Sequence, residues 1–223
     1  MSESKSSTCA SALVGCCRFF LFAVFALAIV LTLVFTPSNP IFKASYEGQL
    51  RIIRDYVSEG GSINAVDKWN NTALHWAAKG NQYAVLKFLV DNGVEVDAEN
   101  SEGETALHWS TYSNNDTIIS YLVMNHATLD KPNVQGETPL HLAILLNAYK
   151  SALSLLHLGA NPNAVALNGN TPLHYLPNGC ADSDFCRNLI EEFKEAKCDF
   201  SIKNKEGRSV MDVITGKSDK EEL

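Results

Sequence analysis

The string NTALHWAA at residues 71–78 returns as ETALHWST from Glu104, as ETPLHLAI from Glu137 and as NTPLHYLP from Asn170. Its threonines, Thr72, Thr105, Thr138 and Thr171, are spaced 33 residues apart, and His75, His108, His141 and His174 keep step with them. Two further columns run at the same spacing, one through Gly60, Gly93, His126 and Gly159, the other through Asn64, Asp97, Asp130 and Asn163. Three columns locked to one period mean that the chain is a row of copies of one small unit. Such a unit cannot bury an apolar face alone, so the copies must stack and share one elongated core.

Each copy reads as a turn followed by a helix pair. Gly103 in NSEGETALHW stands where a tight turn needs positive φ, as do Gly136, Gly169 and Gly207, with Asn70 as the tolerated substitute. The threonine then caps an inner helix whose Leu and Ala recur at helical spacing. Asn81, Asn114 and Asn147 end that helix, a position that favours Gly or Asn in the left-handed region. The segments AVLKFLV, TIISYLV and SALSLLH supply the outer helices.

A 33-residue period carrying Thr-Pro-Leu-His-x-Ala resembles the ankyrin repeat. The resemblance implies an all-α ankyrin-repeat solenoid over residues 44–216. It divides into a partial first repeat at 44–65, repeats at 66–98, 99–131, 132–164 and 165–203, and a truncated cap at 204–216. Arg51, Arg54 and Asp55 give the first repeat a charged outer side. Thr171 to Ser209 is 38 residues, and the additional five fall in LPNGCADSDFC. Pro177 and Gly179 are expected to cut that inner helix short and a loop to protrude.

The resemblance also sorts the reactive-looking residues. A histidine in this position hydrogen-bonds turns of its own and adjoining units, so the four copies are structural. Stacked roughly 10 Å apart, they are too distant to share a metal ion. No cysteine stands in the repeat motif and nothing supplies an oxyanion hole, so no catalytic residue, cofactor site or metal site is expected. In ankyrin proteins the turn tips and inner helices line a concave groove on which partner proteins dock. Trp76, Trp109, Leu142 and Tyr175 form the column after the histidines, Trp69 stands on a turn tip, and Tyr112 lies one turn beyond Trp109. Aromatic residues dominate binding hot spots, which makes Trp69, Trp76, Trp109, Tyr112 and Tyr175 the protein-binding candidates. Packing in place of a consensus leucine is the competing role. If Trp109 serves binding, Trp109→Ala should cost less stability than Leu107→Ala. The wording of ETALHWSTYS is also similar to the ankyrin domains of ankyrin-bearing palmitoyl acyltransferases. The cysteine-rich catalytic zone of those enzymes is missing from this sequence.

Ahead of the repeats, residues 1–18 form a short tail and residues 19–35, FFLFAVFALAIVLTLVF, carry no charge. As a helix these 17 residues span about 25 Å, slightly short of a hydrocarbon core of roughly 30 Å. The run exceeds the usual signal-peptide core and is apolar on every face, so a single uncleaved transmembrane helix is expected, joined to the repeats by a linker at 36–43. Cys16 and Cys17 abut it, either as lipidation candidates or as small residues at the lipid boundary. Cys180 and Cys186 are expected as free thiols in cytosol, although an oxidising compartment would let them pair.

The topology signals conflict. Lys5 and Arg18 precede the run while Lys43, Arg51 and Arg54 follow it, so the positive-inside rule barely discriminates. The last four residues, Lys220, Glu221, Glu222 and Leu223 in the charged tail 217–223, resemble an endoplasmic-reticulum retrieval signal, which works only in the lumen. Acylated Cys16 and Cys17 would agree with that, while the sequons at Asn70 and Asn115 arise easily in an asparagine-rich chain and do not decide it. Ankyrin domains are habitually cytosolic or nuclear, and cytosolic repeats are the reading adopted.

From residue 37 onward 16 Lys and Arg face 24 Asp and Glu, a net charge of −8 that repels phosphate backbones and argues against nucleic acid as partner. No small-molecule substrate is evident. The expected function is therefore a membrane-tethered, non-enzymatic scaffold holding another protein or peptide. The alternatives are a recruiting or regulatory subunit of a membrane enzyme such as an acyltransferase, and an endoplasmic-reticulum resident with lumenal repeats.

Overall fold

The computed structural model describes residues 39–177 and 184–216. Cys16, Cys17, the apolar run 19–35, Cys180 and the tail with Lys220, Glu221, Glu222 and Leu223 lie outside them. No helix among the described residues is long and apolar enough to cross a membrane.

Ten α-helices appear in chain order among those residues. They are α1 (Pro40–Glu47), α2 (Leu50–Ser58), α3 (Ala73–Lys79), α4 (Tyr83–Asp91), α5 (Ala106–Ser110), α6 (Asp116–Met124), α7 (Pro139–Leu145), α8 (Tyr149–His157), α9 (Asp184–Glu195) and α10 (Val210–Thr215). Strands are absent there, and only isolated bridges such as Val66 with Thr72 mark the turns. α1, α3, α5 and α7 are inner helices stacked in sequence, a 3₁₀ turn at Pro172–Tyr175 takes the next inner place with α10 beyond it, and the others form an outer row against them. The first repeat starts earlier than the threonine columns suggest. α1 begins at Pro40, inside the stretch expected as linker, and buries Ile41 and Phe42 against the next unit.

The columns of the sequence are the sutures between units. Thr72 caps α3, and its N–H and hydroxyl both reach His75 Nδ1, at 3.1 and 2.9 Å. An N–H can only donate, so Nδ1 is the acceptor and Nε2 carries the proton, which it gives to the Glu104 carbonyl of the next unit at 2.9 Å. His108, His141 and His174 repeat the arrangement onto the carbonyls of Glu137, Asn170 and Arg208. The last unit uses Ser209 with Asp212 instead, bonded at 2.7 Å from Ser209 N–H and 2.6 Å from its hydroxyl. A carboxylate has no proton to pass on, so this variant suits the end of the suture.

The Asn64, Asp97, Asp130 and Asn163 column has a parallel task. Each side-chain oxygen accepts a backbone N–H from the following unit, those of Glu95, Thr128, Asn161 and Asp199. The turn tips join in a third ladder, Ser101 N–H to Trp69 carbonyl at 2.9 Å, Val134 to Glu102 at 2.9 Å and Leu167 to Gln135 at 2.8 Å. The turns bring neighbouring backbones so close that a Cβ on Gly136, at φ +77°, would meet Leu167 N at 2.9 Å.

Two units deviate for readable reasons. Ser110 and Thr111 stand where the second and fourth units carry Ala or Ile, and their hydroxyls bond the carbonyls of Leu107 and His108. That back-bonding competes with the helix ladder, and α5 tightens into a 3₁₀ turn at Thr111–Ser113. In the fifth unit the inner helix shrinks to a 3₁₀ turn, Pro172–Tyr175, as Pro177 requires. The expected protruding loop at 178–183 lies outside the described residues. The closing left-handed position there belongs to Lys197, at φ +62°, in place of the Gly or His of earlier units. The core is one continuous file running from Ile41 to Ile214, mostly Leu, Ile, Val and Ala with Phe42, Trp109, Cys186 and Phe193 among them. Ser45 and Ser151 place hydroxyls in it without a hydrogen-bond partner, and nothing in the packing explains them.

Candidate functional site

The inner-helix face carries the aromatic candidates, and the structure gives them different roles. Trp69 rides on a turn fixed by Asp67, whose Oδ1 accepts the N–H of Trp69 at 2.8 Å and of Asn71 at 2.9 Å. The turn thus spends its backbone on itself and on Ser101, and leaves the indole 53% exposed with Lys68 Nζ 4.0 Å above it.

Trp76 is half-buried at the mouth of α3. Its indole N–H bonds Asp67 Oδ2 at 3.2 Å, and its ring meets Tyr46 edge-on at 6.2 Å and Trp109 at 5.2 Å. Burial alone would raise the Asp67 carboxyl, yet the donors of Asn71, Trp69 and Trp76 hold it below the usual carboxylate range. Trp109 is only 7% exposed. It is clamped by a 2.6 Å bond to Glu104 Oε2 and by edge contacts to Trp76 and to His75, the latter at 5.4 Å. Trp109 therefore fills the space between two units, the packing role, with Lys79 Nζ 4.8 Å from its ring centroid. Its replacement should cost as much stability as that of Leu107. Tyr112, carried outward by the 3₁₀ turn, is 47% exposed.

Tyr175 stands apart. Leu142, buried, interrupts the column, so Tyr175 packs on His141 at 6.0 Å and donates its hydroxyl to the Glu137 carboxylate. Asn168 in turn donates to that hydroxyl at 3.1 Å. Burial pushes the Tyr112 and Tyr175 phenols up.

Sequence reasoning missed the partners of these rings. Asp67, Glu104 and Glu137 each take an aromatic N–H or O–H, and Lys79 sits among three rings. The acids could have been noticed, since Glu104 and Glu137 directly precede capping threonines. Lys79 follows Trp76 by three residues and so shares its helix face.

The same geometry decides what the histidines can do. Every imidazole of the column has both nitrogens committed and is buried, so neither nitrogen is left for proton transfer or ligation. Burial, foremost, holds all four below the ordinary value, His108 down to about 4. Among the described residues no group of three or more His, Cys, Asp or Glu is placed to hold a metal ion. Cys186 is a buried free thiol, and burial pushes the Cys198 thiol up to about 12, which makes it inert.

Comparison with known families agrees with the repeat unit seen here. The family model described as Ankyrin repeats (3 copies) matches residues 41–133 and again 98–166. No curated protein matches the chain, and the likeness in wording to palmitoyl acyltransferases has no support there. With turn, capping threonine, inter-unit histidine and helix pair observed in register, and the match running over more than half of the 223 residues, the chain belongs to the ankyrin-repeat family.

Proposed function

We propose that this protein is a membrane-tethered scaffold that holds a protein or peptide on its inner-helix face. Ankyrin repeats are typically protein-interaction modules without enzymatic activity. The observation that carries the docking face is the exposure of Trp69 and Tyr112 beside half-buried Trp76, large rings mounted on turns and helices that are fixed by hydrogen bonds. Rigid aromatic groups lose little entropy on binding, which is why they serve as anchors. Trp69→Ala combined with Tyr112→Ala should abolish co-purification of the partner while the unfolding midpoint stays put. Undiminished capture would refute the docking face. A scaffold should bring down several partners, and a recruiting subunit one enzyme in fixed ratio.

Tethering is supported by the uncharged run at 19–35, which is apolar on every face and longer than the usual core of a cleaved leader, about 7 to 15 residues. The repeats are assigned to the cytosol. Lumenal repeats are the second reading, favoured by the sequon at Asn70, whose side chain is exposed on a turn tip. Translation into microsomes separates the two. Digestible, unglycosylated repeats support the cytosolic assignment, whereas protected repeats with a glycan on Asn70 refute it and give the terminal Lys220 to Leu223 a retrieval role.

A further inference from the structure

Trp76, Trp109 and Tyr112 close around one point, and that point already holds an ammonium. Lys79 Nζ stands 5.8 Å from the Trp76 centroid, 4.8 Å from Trp109 and 5.2 Å from Tyr112. Each ring face is electron-rich, so three faces with a common centre make a site for a cation. Among the described residues its present occupant is held by the rings alone. Lys79 is exposed, and its ammonium makes no ion pair and no hydrogen bond with any described residue. The flexible four-carbon stem lets it leave.

Fixed charge at the rim of the cage is negative. Asp67 and Glu104 are both turned toward the rings by indole N–H groups, and Glu104 Oε1 accepts no hydrogen bond among the described residues. The chain from residue 37 carries a net charge of −8. An acidic segment approaching Lys79 would meet both carboxylates and that field, whereas a basic one is drawn in.

We infer that the cage seats an arginine side chain from a basic segment of the partner, with Lys79 as the internal occupant that it displaces. A partner lysine would gain nothing over Lys79. A guanidinium is planar and weakly hydrated, stacks on aromatic faces, and keeps donors free for Glu104 Oε1. The inference rests on the inner-helix face being the docking face and names the chemistry recognised there. Lys79 then acts as a built-in competitor, so weakly basic surfaces are refused.

The test uses the full chain in neutral-detergent micelles and two probes, acetyl-Gly-Gly-Arg-Gly-Gly-amide and the same peptide with Glu for Arg. Binding is read from the indole N–H resonances of the tryptophans. The arginine peptide should bind, and Lys79→Met should tighten it by about three-fold or more, as expected for removal of a cation–π competitor. Lys68→Met removes an equal charge from the neighbouring turn tip without emptying the cage, and should tighten binding less than half as much. Tyr112→Ala, which takes away one wall at an exposed position, should weaken it. The inference is overturned if Lys79→Met weakens binding or helps no more than Lys68→Met. Binding of the glutamate peptide that is lost with Lys79, or an emptied cage that ignores the arginine peptide, overturns it equally. Loss of natural-partner capture by Trp69→Ala with Tyr112→Ala alongside any of those results would leave the docking face standing and remove only the arginine.

Discussion

Lowering the pH from 7.5 to 5 should loosen the array through its histidine sutures. His108 Nδ1 faces two donors from Thr105 at 3.0 and 3.1 Å, and the ring is fully buried, so the charged form is disfavoured in the fold. Its folded value lies at about 4, against 6.5 for the free side chain. A depressed folded value means that the unfolded chain binds more protons in this window. The stabilisation is therefore complete above 6.5 and is lost as pH falls toward about 4. At pH 5 the unfolded imidazole is almost fully protonated and the folded one mostly neutral, which costs about 2 kcal/mol for His108 alone. His75, His141 and His174 are displaced in the same direction and add to it. With a urea m-value of about 2 kcal/mol/M, the far-ultraviolet dichroism midpoint should drop by at least about 1 M. His108→Leu supplies the control. It leaves two Thr105 donors without an acceptor and the Glu137 carbonyl with the Asn133 N–H as its one remaining donor among the described residues, and should cost about 2–4 kcal/mol at pH 7.5, yet its midpoint should fall less on acidification. Equal midpoints at pH 7.5 and 5, or an unchanged pH slope in His108→Leu, would refute the reasoning.

Leu107→Ala and Trp109→Ala should each cost about 3–5 kcal/mol in urea unfolding, because both empty buried space between units; a Trp109 variant as stable as wild type would contradict its burial. Trp69→Ala, at an exposed tip, should stay within about 0.5 kcal/mol of wild type. Gly136→Ala should lose about 1–3 kcal/mol, since the new Cβ combines a positive φ with a clash against Leu167 N; unaltered stability would mean that the turn ladder gives way easily. Ser209→Ala, which uncaps α10, should lower stability by about 1 kcal/mol and increase fraying at the C-terminal unit in hydrogen exchange.

The repeat itself was readable from residues alone because each of its contacts is made with a neighbour at a constant offset. Threonine, histidine and the Asx column must recur for one unit to bond the next, and a period in sequence is the direct trace of that requirement. Left-handed positions at Asn70, Asn81, Asn114 and Asn147 were readable for a similar reason, being local backbone demands that few side chains tolerate. The tertiary structure decided how the aromatic column divides. Trp109 and Trp76 carry the same letter in the same register, but among the described residues Trp76 meets the single ring of Tyr46 on its far side while Trp109 is closed in by His75 and Trp76. Burial depends on which groups stand across the gap between two units, and a motif does not encode its neighbours' shapes. The gathering of Lys79 with three rings is likewise a product of two units meeting, brought about when Ser110 and Thr111 tighten α5 and swing Tyr112 outward.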